Sequence, residues 1–500
     1  MKSEERKRCG RALMALENIK LPVPAHFSMA ERLFRPRPLP DADARLNALS
    51  VQARDDIRIL EFPKKQLPFQ RRSGVLEVAI VGGGQTGLCV SFGLMRHGLH
   101  NTKIFDQNPK GRQGPWRTYA RNHLLRTRKD STGGLDWGIP SLHFIRWSQA
   151  RYGAEYYESI QKIPRSVWAD YLEWYVQTVD LPTAYETAVR DIRWVEDECL
   201  FELETSTGVV KAEFVVVCTG IESGGKHRFP RIVEERLPKH VYAHTMTEPA
   251  IDHLQGRDVV VIGGGASAFD WANAVLAAGA KSVDLMIRRP GLPTAHRVCW
   301  GSRWIGYHRH YIDLPDEIKW AYSLADLDLG VPPPRDTYYE AISDPRFRIF
   351  GNAGIDDIQF QDGKIAGTYG GTEFHHDFMI CGTGSNNSIF GQRELQSVLL
   401  HIQVWKDAYK PADGRTHPEL ELSPYLGQSL QFTPKRAESS FVERIYYLCS
   451  GVAHLSGFRC NLSAIQFVSQ RVCNDISRHI FVDHRHEVKS AFDAFDQWEE

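Results

Sequence analysis

No two cysteines in this chain stand in a CxxC spacing, and the nine cysteines make an odd number. That argues against a disulfide framework and a zinc site. It also argues against the vicinal thiol pair that dithiol flavoprotein reductases need. No apolar run approaches the roughly 18 residues of a membrane span. Neither sign of charge is in excess, with 61 Lys+Arg against 61 Asp+Glu. A neutral chain gives no electrostatic case for nucleic acid or an anionic membrane as partner. The first residues, MKSEERKRCG, lack the apolar stretch of a signal peptide and mix acids with bases. A cytoplasmic protein in a reducing compartment is the expectation. Nor is there a Ser/His/Asp or metal-ligand constellation among the 20 scattered histidines; His123, His143 and His296 are read as structural.

What is present is ordinary globular material: 500 residues, 42% hydrophobic and 24% charged, enough for two or three domains. Residues 1–72 are proline-rich (LPVPAHF, FRPRPLP, EFPKKQLPF) and read as an irregular extension with one short helix near Ala12–Ile19. Phe27, Phe34 and Phe69 offer anchors to the main body, and a disordered tail is the alternative. From Val75 the pattern changes. VLEVAIV is a short apolar run suited to a parallel strand covered on both faces. A helix from Thr86 and a second strand, Thr102–Phe105, follow. VVVIGGG at Val259–Gly265, an alanine-rich helix and SVDLMIRR repeat the βαβ arrangement. Between the repeats lies an aromatic stretch that includes Trp116, Trp137, Trp147, Trp168 and Trp174. Ordinary packing is the preferred reading for most of these. VPPPRDT at Val331–Thr337 reads as a rigid surface turn.

Gly82-Gly83-Gly84-Gln85-Thr86-Gly87 fits G-x-G-x-x-G between a strand and a helix. Gly82 allows the tight turn, Gly84 lets a pyrophosphate approach the backbone, and Gly87 lets helix and strand pack closely. The diphosphate would meet the N–H groups of Gln85, Thr86 and their neighbours at the positive helix end. Asp106 stands about 20 residues on, where a carboxylate accepts ribose hydroxyls and repels a 2′-phosphate. This site takes FAD or NAD. The second motif, Gly263-Gly264-Gly265-Ala266-Ser267-Ala268, carries the accepted alanine variant. Arg288 and Arg289 stand where the first unit has its acid. Guanidinium groups pair with phosphate through charge-assisted hydrogen bonds, so this site should prefer NADPH. A solvated basic edge is the alternative for the two arginines. Two such sites in one chain imply hydride transfer from NADPH to FAD.

With these motifs in place, the sequence resembles the class B flavoprotein monooxygenases over residues 75–470. Both glycine motifs match in order, and Cys218-Thr219-Gly220 and Cys381-Gly382-Thr383-Gly384 resemble the family's paired hinge motifs, with Asp377 before the second. Gly114-Pro115-Trp116 falls where the family places a tryptophan beside the flavin. Stretches such as GPWRTYAR, IPRSVWADYLEWY and PPPRD resemble a bacterial branch of FAD/NADPH oxidoreductases. The signature F-x-G-x-x-x-H is poor: His244 fits its histidine, but Pro238 and His240 hold the F and G positions. That weakens a Baeyer–Villiger assignment. Residues 126–144 resemble the lysine loop of amino-acid N-hydroxylases, which makes Lys129 a flavin or substrate contact; an exposed loop lysine is the alternative. The resemblance places the helix start within GVAHLSGFRCNLSAIQF near the flavin.

The implied fold is α/β, with two Rossmann-like dinucleotide-binding domains, the NADPH domain (222–376) inserted in the FAD domain (73–221 and 377–500), plus the extension 1–72. The implied reaction is that of a monooxygenase whose flavin C4a-(hydro)peroxide oxygenates a small nucleophilic substrate with O2, with N-hydroxylation of an amine or amino acid favoured. The alternatives are an NADPH-dependent flavoprotein reductase without oxygen insertion and a non-enzymatic cofactor sensor. The sequence leaves assembly into a homo-oligomer open.

Overall fold

A computed structural model describes residues 13–15, 36–60, 65–69, 72–221, 227–247, 250–293, 295, 297–301, 303–385, 388–449, 454–457 and 462–496. Phe27, Phe34 and His296, named above, lie outside the described residues.

The N-terminal extension departs from expectation in two places. Leu13–Ala15 is a strand, paired antiparallel with Gly291–Pro293, and not part of a helix. Ala42–Leu60 (α1) is a helix of 19 residues. The prolines on both sides mask its spacing of Leu46, Leu49, Ala53 and Ile57, which is helical. Leu46 and Ala53 are buried, and Leu49 and Ile57 pack on the same core. Trp174 Nε1 donates to Ser50 on this helix at 2.8 Å. Phe69 packs on that core too, as expected of an anchor.

Val75–Val81 (β1) turns at Gly82 into Gln85–Arg96 (α2) and returns as Thr102–Phe105 (β2), parallel to β1. Aromatic residues of Arg165–Val179 (α3) fill the layer over α2, with Trp168, Tyr171 and Tyr175 buried. Gly208–Val217 (β3) runs parallel on the other side of β1. Its first half also pairs with Leu200–Thr205 and its last residues with Ile445–Tyr447, far along the chain. A carboxy-terminal strand thus completes the first sheet.

The second body repeats the plan. Asp258–Ile262 (β4) leads into Ala266–Ala277 (α4) and then Ser282–Met286 (β5). Arg335–Ser343 (α5) precedes Phe347–Phe350 (β6), and Phe378–Cys381 (β7) lies on the far side of β4. All pairings of this five-stranded sheet are parallel. Alternation along β4 sends Val259 and Val261 to one core with Phe269 and Trp271 of α4, and Val260 and Ile262 to another beneath the meander 355–376. Because β7 belongs to this sheet, a division of the chain at residue 377 would cut it; the chain returns to the first body after Cys381. The VPPPRDT segment is more than a surface turn: Pro334 caps α5, and Asp336 is drawn into an ion pair with Lys162 of the first body at 3.0 Å. Ile465–Asp483 (α6) packs against α2.

Candidate functional site

The two glycine motifs are built alike. Gly82 has φ +104° and Gly263 φ +127°, a region open to glycine at little cost. A Cβ at Gly82 would stand 2.5 Å from the Cys218 carbonyl oxygen, and one at Gly263 would stand 2.2 Å from that of Gly382. Each first glycine is thus pinned under one of the hinge motifs. The amides of Cys218 and Gly382 donate to Val81 and Ile262, each at 2.7 Å. Gly87 is in direct contact with the turn it follows: a Cβ there would lie 2.0 Å from the Gly82 oxygen.

The middle glycines differ from these. A Cβ on Gly265 would meet nothing within 4 Å, and one on Gly84 only the Gly114 Cα at 3.9 Å. Both are the N-caps of their helices, without a side-chain cap. Helix-end N–H groups facing open space over a bare backbone fit a diphosphate. Asp106, buried at the end of β2, accepts from Gly83 N at 2.7 Å through Oδ2 and from Asn108 N at 2.8 Å through Oδ1. These bonds fix the carboxylate and leave it lone pairs for ribose hydroxyls. Gln85 accepts from Trp168 Nε1 at 3.1 Å, and Thr86 is buried.

Gly114 faces Gly84, which brings the Gly114-Pro115-Trp116 loop over the first motif. Trp116 Nε1 and Gln113 Oε1 are buried there and have no hydrogen-bond partner among the described residues. An orphaned donor and acceptor beside a dinucleotide cradle fit a polar ring system such as the isoalloxazine. Gln113 was missed in the sequence, where nothing but its place before Gly114 could have marked it. Lys129 lies elsewhere in its bonding: its ammonium is held by the carbonyl of Tyr157, lies 3.3 Å from that of Glu158, and sits 4.4 Å over the Tyr157 ring.

In the second body, Ser267 is exposed at the open end of α4 and Ala266 is buried beneath it. Arg288 and Arg289 are exposed beyond β5. Arg289 Nη1 donates to the Leu329 carbonyl at 2.5 Å, whereas Arg288 has no ion pair or hydrogen bond among the described residues.

Other named residues serve packing and capping. Trp147 and Trp168 are buried, and Trp137 and Trp174 pack against the same core. His143 accepts from Ile145 N at 3.1 Å and so caps the helix Phe144–Tyr152. Thr219 of the first hinge donates to Glu394 at 3.3 Å, and burial pushes the Glu394 carboxyl up from its ordinary range. The stretch around Gly451 is described only in part, at 454–457 and from Leu462. The described cysteines Cys89, Cys199, Cys218, Cys381, Cys449 and Cys473 are all free thiols. Among the described residues, no helix is long and apolar enough to cross a membrane.

With this geometry in view, comparison with known proteins is informative. Residues 79–300 match the family model of pyridine nucleotide-disulphide oxidoreductases. A FAD-dependent urate hydroxylase of Xanthomonas campestris pv. campestris is 31% identical over 431 residues, 85% of this chain and 90% of that protein. Among solved structures, an ornithine N-hydroxylase from Kutzneria sp. 744 superposes with a TM-score of 0.62 at 16% identity, covering 81% of this chain and all of that one. The bacillithiol disulfide reductase of Staphylococcus aureus shares the fold too, with a TM-score of 0.55 at 17% identity over 82% of this chain and 98% of that one. Since the fold serves reductases and hydroxylases alike, sequence identity decides: the chain belongs to the family of the FAD-dependent urate hydroxylase.

Proposed function

We propose that this enzyme uses NADPH and O2 to hydroxylate a small nucleophilic substrate at a flavin held over the first glycine motif. The observation that carries the reading is the contrast between two otherwise matched cradles. Asp106 closes one and the free Arg288 stands beyond the other.

In this reading FAD lies with its diphosphate on the N–H groups of Gln85 and Thr86, against Gly82, Gly84 and Gly87, and with its ribose on Asp106. Trp116 and Gln113 offer their unpartnered atoms to the ring. NADPH lies on Gly263, Gly265, Ala266 and Ser267, with its 2′-phosphate on Arg288 and Arg289. When bound, the flavin supplies hydride acceptance and oxygen activation. The chain's own part is to hold the two dinucleotides at the two helix ends and to shut water out, since water favours loss of H2O2 over oxygen transfer. The buried aromatic layer of Phe144, Trp147, Trp168 and Tyr171 gives that side of the site a rigid wall.

For the substrate, the 31% identical urate hydroxylase supports an electron-rich, nitrogen-bearing heterocycle of the urate kind. N-hydroxylation of an amine or amino acid is the second reading, supported by the shared fold of the ornithine N-hydroxylase. The ammonium of Lys129, engaged by main-chain carbonyls, lends it no further support. The test is NADPH oxidation under labelled O2 with urate, ornithine and lysine as candidates. A product that gains one labelled oxygen atom is expected. NADPH oxidation that yields only H2O2 with every candidate, or electrons passed to a quinone at full rate without O2, would establish the reductase reading instead.

A further inference from the structure

Where α4 and α5 meet the first body, the paired side chains carry opposite charge. The first body presents Arg126 and Lys162, with His123 beside them, while the second presents Asp270 on α4 and Asp336 and Glu340 on α5. Arg126 Nη2 lies 2.8 Å from Asp270 Oδ2, Lys162 Nζ 3.0 Å from Asp336, and His123 Nε2 3.4 Å from Glu340. Arg121 adds its guanidinium 5.0 Å from the centre of the Trp271 ring, next along α4.

Burial makes this more than a set of surface pairs. Exposed ion pairs contribute little, but the Asp270 side chain is 5% exposed while Arg126 remains 46% exposed. Burial and the nearby Glu340 and Asp336 both disfavour the Asp270 charge, and Arg126 opposes them. A buried carboxylate stripped of its cation is costly, so a docking that separates them is disfavoured. Asp270 also lies one turn beyond Ala266, on the helix whose first turn is the proposed NADPH cradle. Arg126 comes from Leu124–Arg128, which pairs with Lys162–Pro164 in the first body.

We propose that the Arg126–Asp270 pair, backed by Lys162–Asp336, is an ionic latch that sets the NADPH-bearing helix against the flavin-bearing body, which makes Arg126 and Asp270 positioning residues for hydride transfer. The inference rests on the reading that NADPH on α4 reduces a flavin on α2. Hydride transfer needs the reacting atoms held within a narrow range, and a displacement of about 1 Å can cost up to a hundredfold in rate.

The test uses full-length, flavin-loaded enzyme as wild type, Arg126→Gln and Arg126→Lys. In anaerobic single turnovers, the limiting rate of flavin reduction should fall about tenfold or more in Arg126→Gln. The NADPH dissociation constant should stay within about twofold, and Arg126→Lys should restore most of the rate. Amide deuterium exchange in 124–128 and 266–277 should quicken in Arg126→Gln and recover in Arg126→Lys. An unchanged limiting rate, or weaker NADPH binding at an unchanged rate, overturns the positioning role. Unchanged exchange overturns the latch itself. If NADPH fails to reduce the wild-type flavin, the functional reading fails, and the exchange result still decides the latch. Should Arg126→Gln not fold, Lys162→Gln offers the same comparison.

Discussion

His244 donates through Nε2 to the carbonyl of Gly384 at 2.9 Å, a bond that ties the edge strand of the second sheet to the hinge that leaves it. The tautomer follows from the other nitrogen, because Nδ1 accepts from Met246 N at 3.2 Å. The ring is fully buried and stacks on His227, with centroids 4.8 Å apart and planes 3° from parallel. His227 and Arg228 bind the second hinge as well: Arg228 N donates to Gly384 O at 3.0 Å, and His227 bridges Ser385. Both crossings between the bodies thus meet at one neutral histidine.

That neutrality predicts an acid limit. Burial, and then the neighbouring His227, push the His244 imidazole from its ordinary 6.5 down to about 4. A base with a depressed folded value stabilises the fold above its unfolded value, and that contribution is lost as pH falls toward the folded value. Between pH 6.5 and about 4 the unfolding free energy of the wild type, read from urea titrations, should drop by up to about 3 kcal/mol from this group. His244→Asn should be less stable at pH 7 and show a shallower slope across the same window. Equal slopes in both proteins would remove His244 as the cause.

The two arginines beyond β5 should behave differently from each other. Arg288 has no partner among the described residues, whereas Arg289 is already bonded to the Leu329 carbonyl. Loss of a charged hydrogen bond costs about 1.5–3 kcal/mol. Arg288→Ala should therefore raise KM for NADPH by roughly 10- to 150-fold and leave that for NADH nearly unchanged. Arg289→Ala should add a loss of thermal stability, because it frees a carbonyl at the end of a helix. Steady-state kinetics with both nicotinamides checks this. A parallel rise for NADH would mean that Arg288 does not read the 2′-phosphate.

Both cradles were legible because each is local: an apolar strand, a glycine turn, a helix and a charged strand end lie within one short stretch of chain. Val75–Val81 and Thr102–Phe105 emerge as strands with the boundaries expected. What escaped the sequence depends on distant partners. α1 was hidden among prolines, and only its packing against α3 and the helix Phe144–Tyr152 gives its apolar face a purpose. Cys218 and Gly382 were visible as hinge motifs, yet nothing in their order says that their carbonyls press on Gly82 and Gly263. Arg126 and Asp270 stand far apart in the chain, and no motif links them. Trp116 could be named by resemblance, but its orphaned indole N–H is visible only in three dimensions.

The glycines of one motif should fail in two distinct ways. At Gly87 a methyl group would lie 2.0 Å from the Gly82 oxygen, and no side-chain rotation can relieve contact with the main chain. Gly87→Ala must push α2 away from β1, an overpacking that costs typically about 1–3 kcal/mol. Its thermal midpoint should fall, and flavin should be lost with the fold around it. At Gly265 a methyl group meets nothing within 4 Å, and the backbone there lies in a region open to any residue, with φ −87°. Gly265→Ala should keep both the thermal midpoint and the flavin. It should nevertheless weaken NADP⁺, because the methyl group occupies the space through which a diphosphate would approach the backbone. Scanning calorimetry and calorimetric titration with NADP⁺ separate the two outcomes. If Gly265→Ala binds NADP⁺ as tightly as the wild type, that open space does not hold the diphosphate, and the second cradle must be placed elsewhere on the sheet edge.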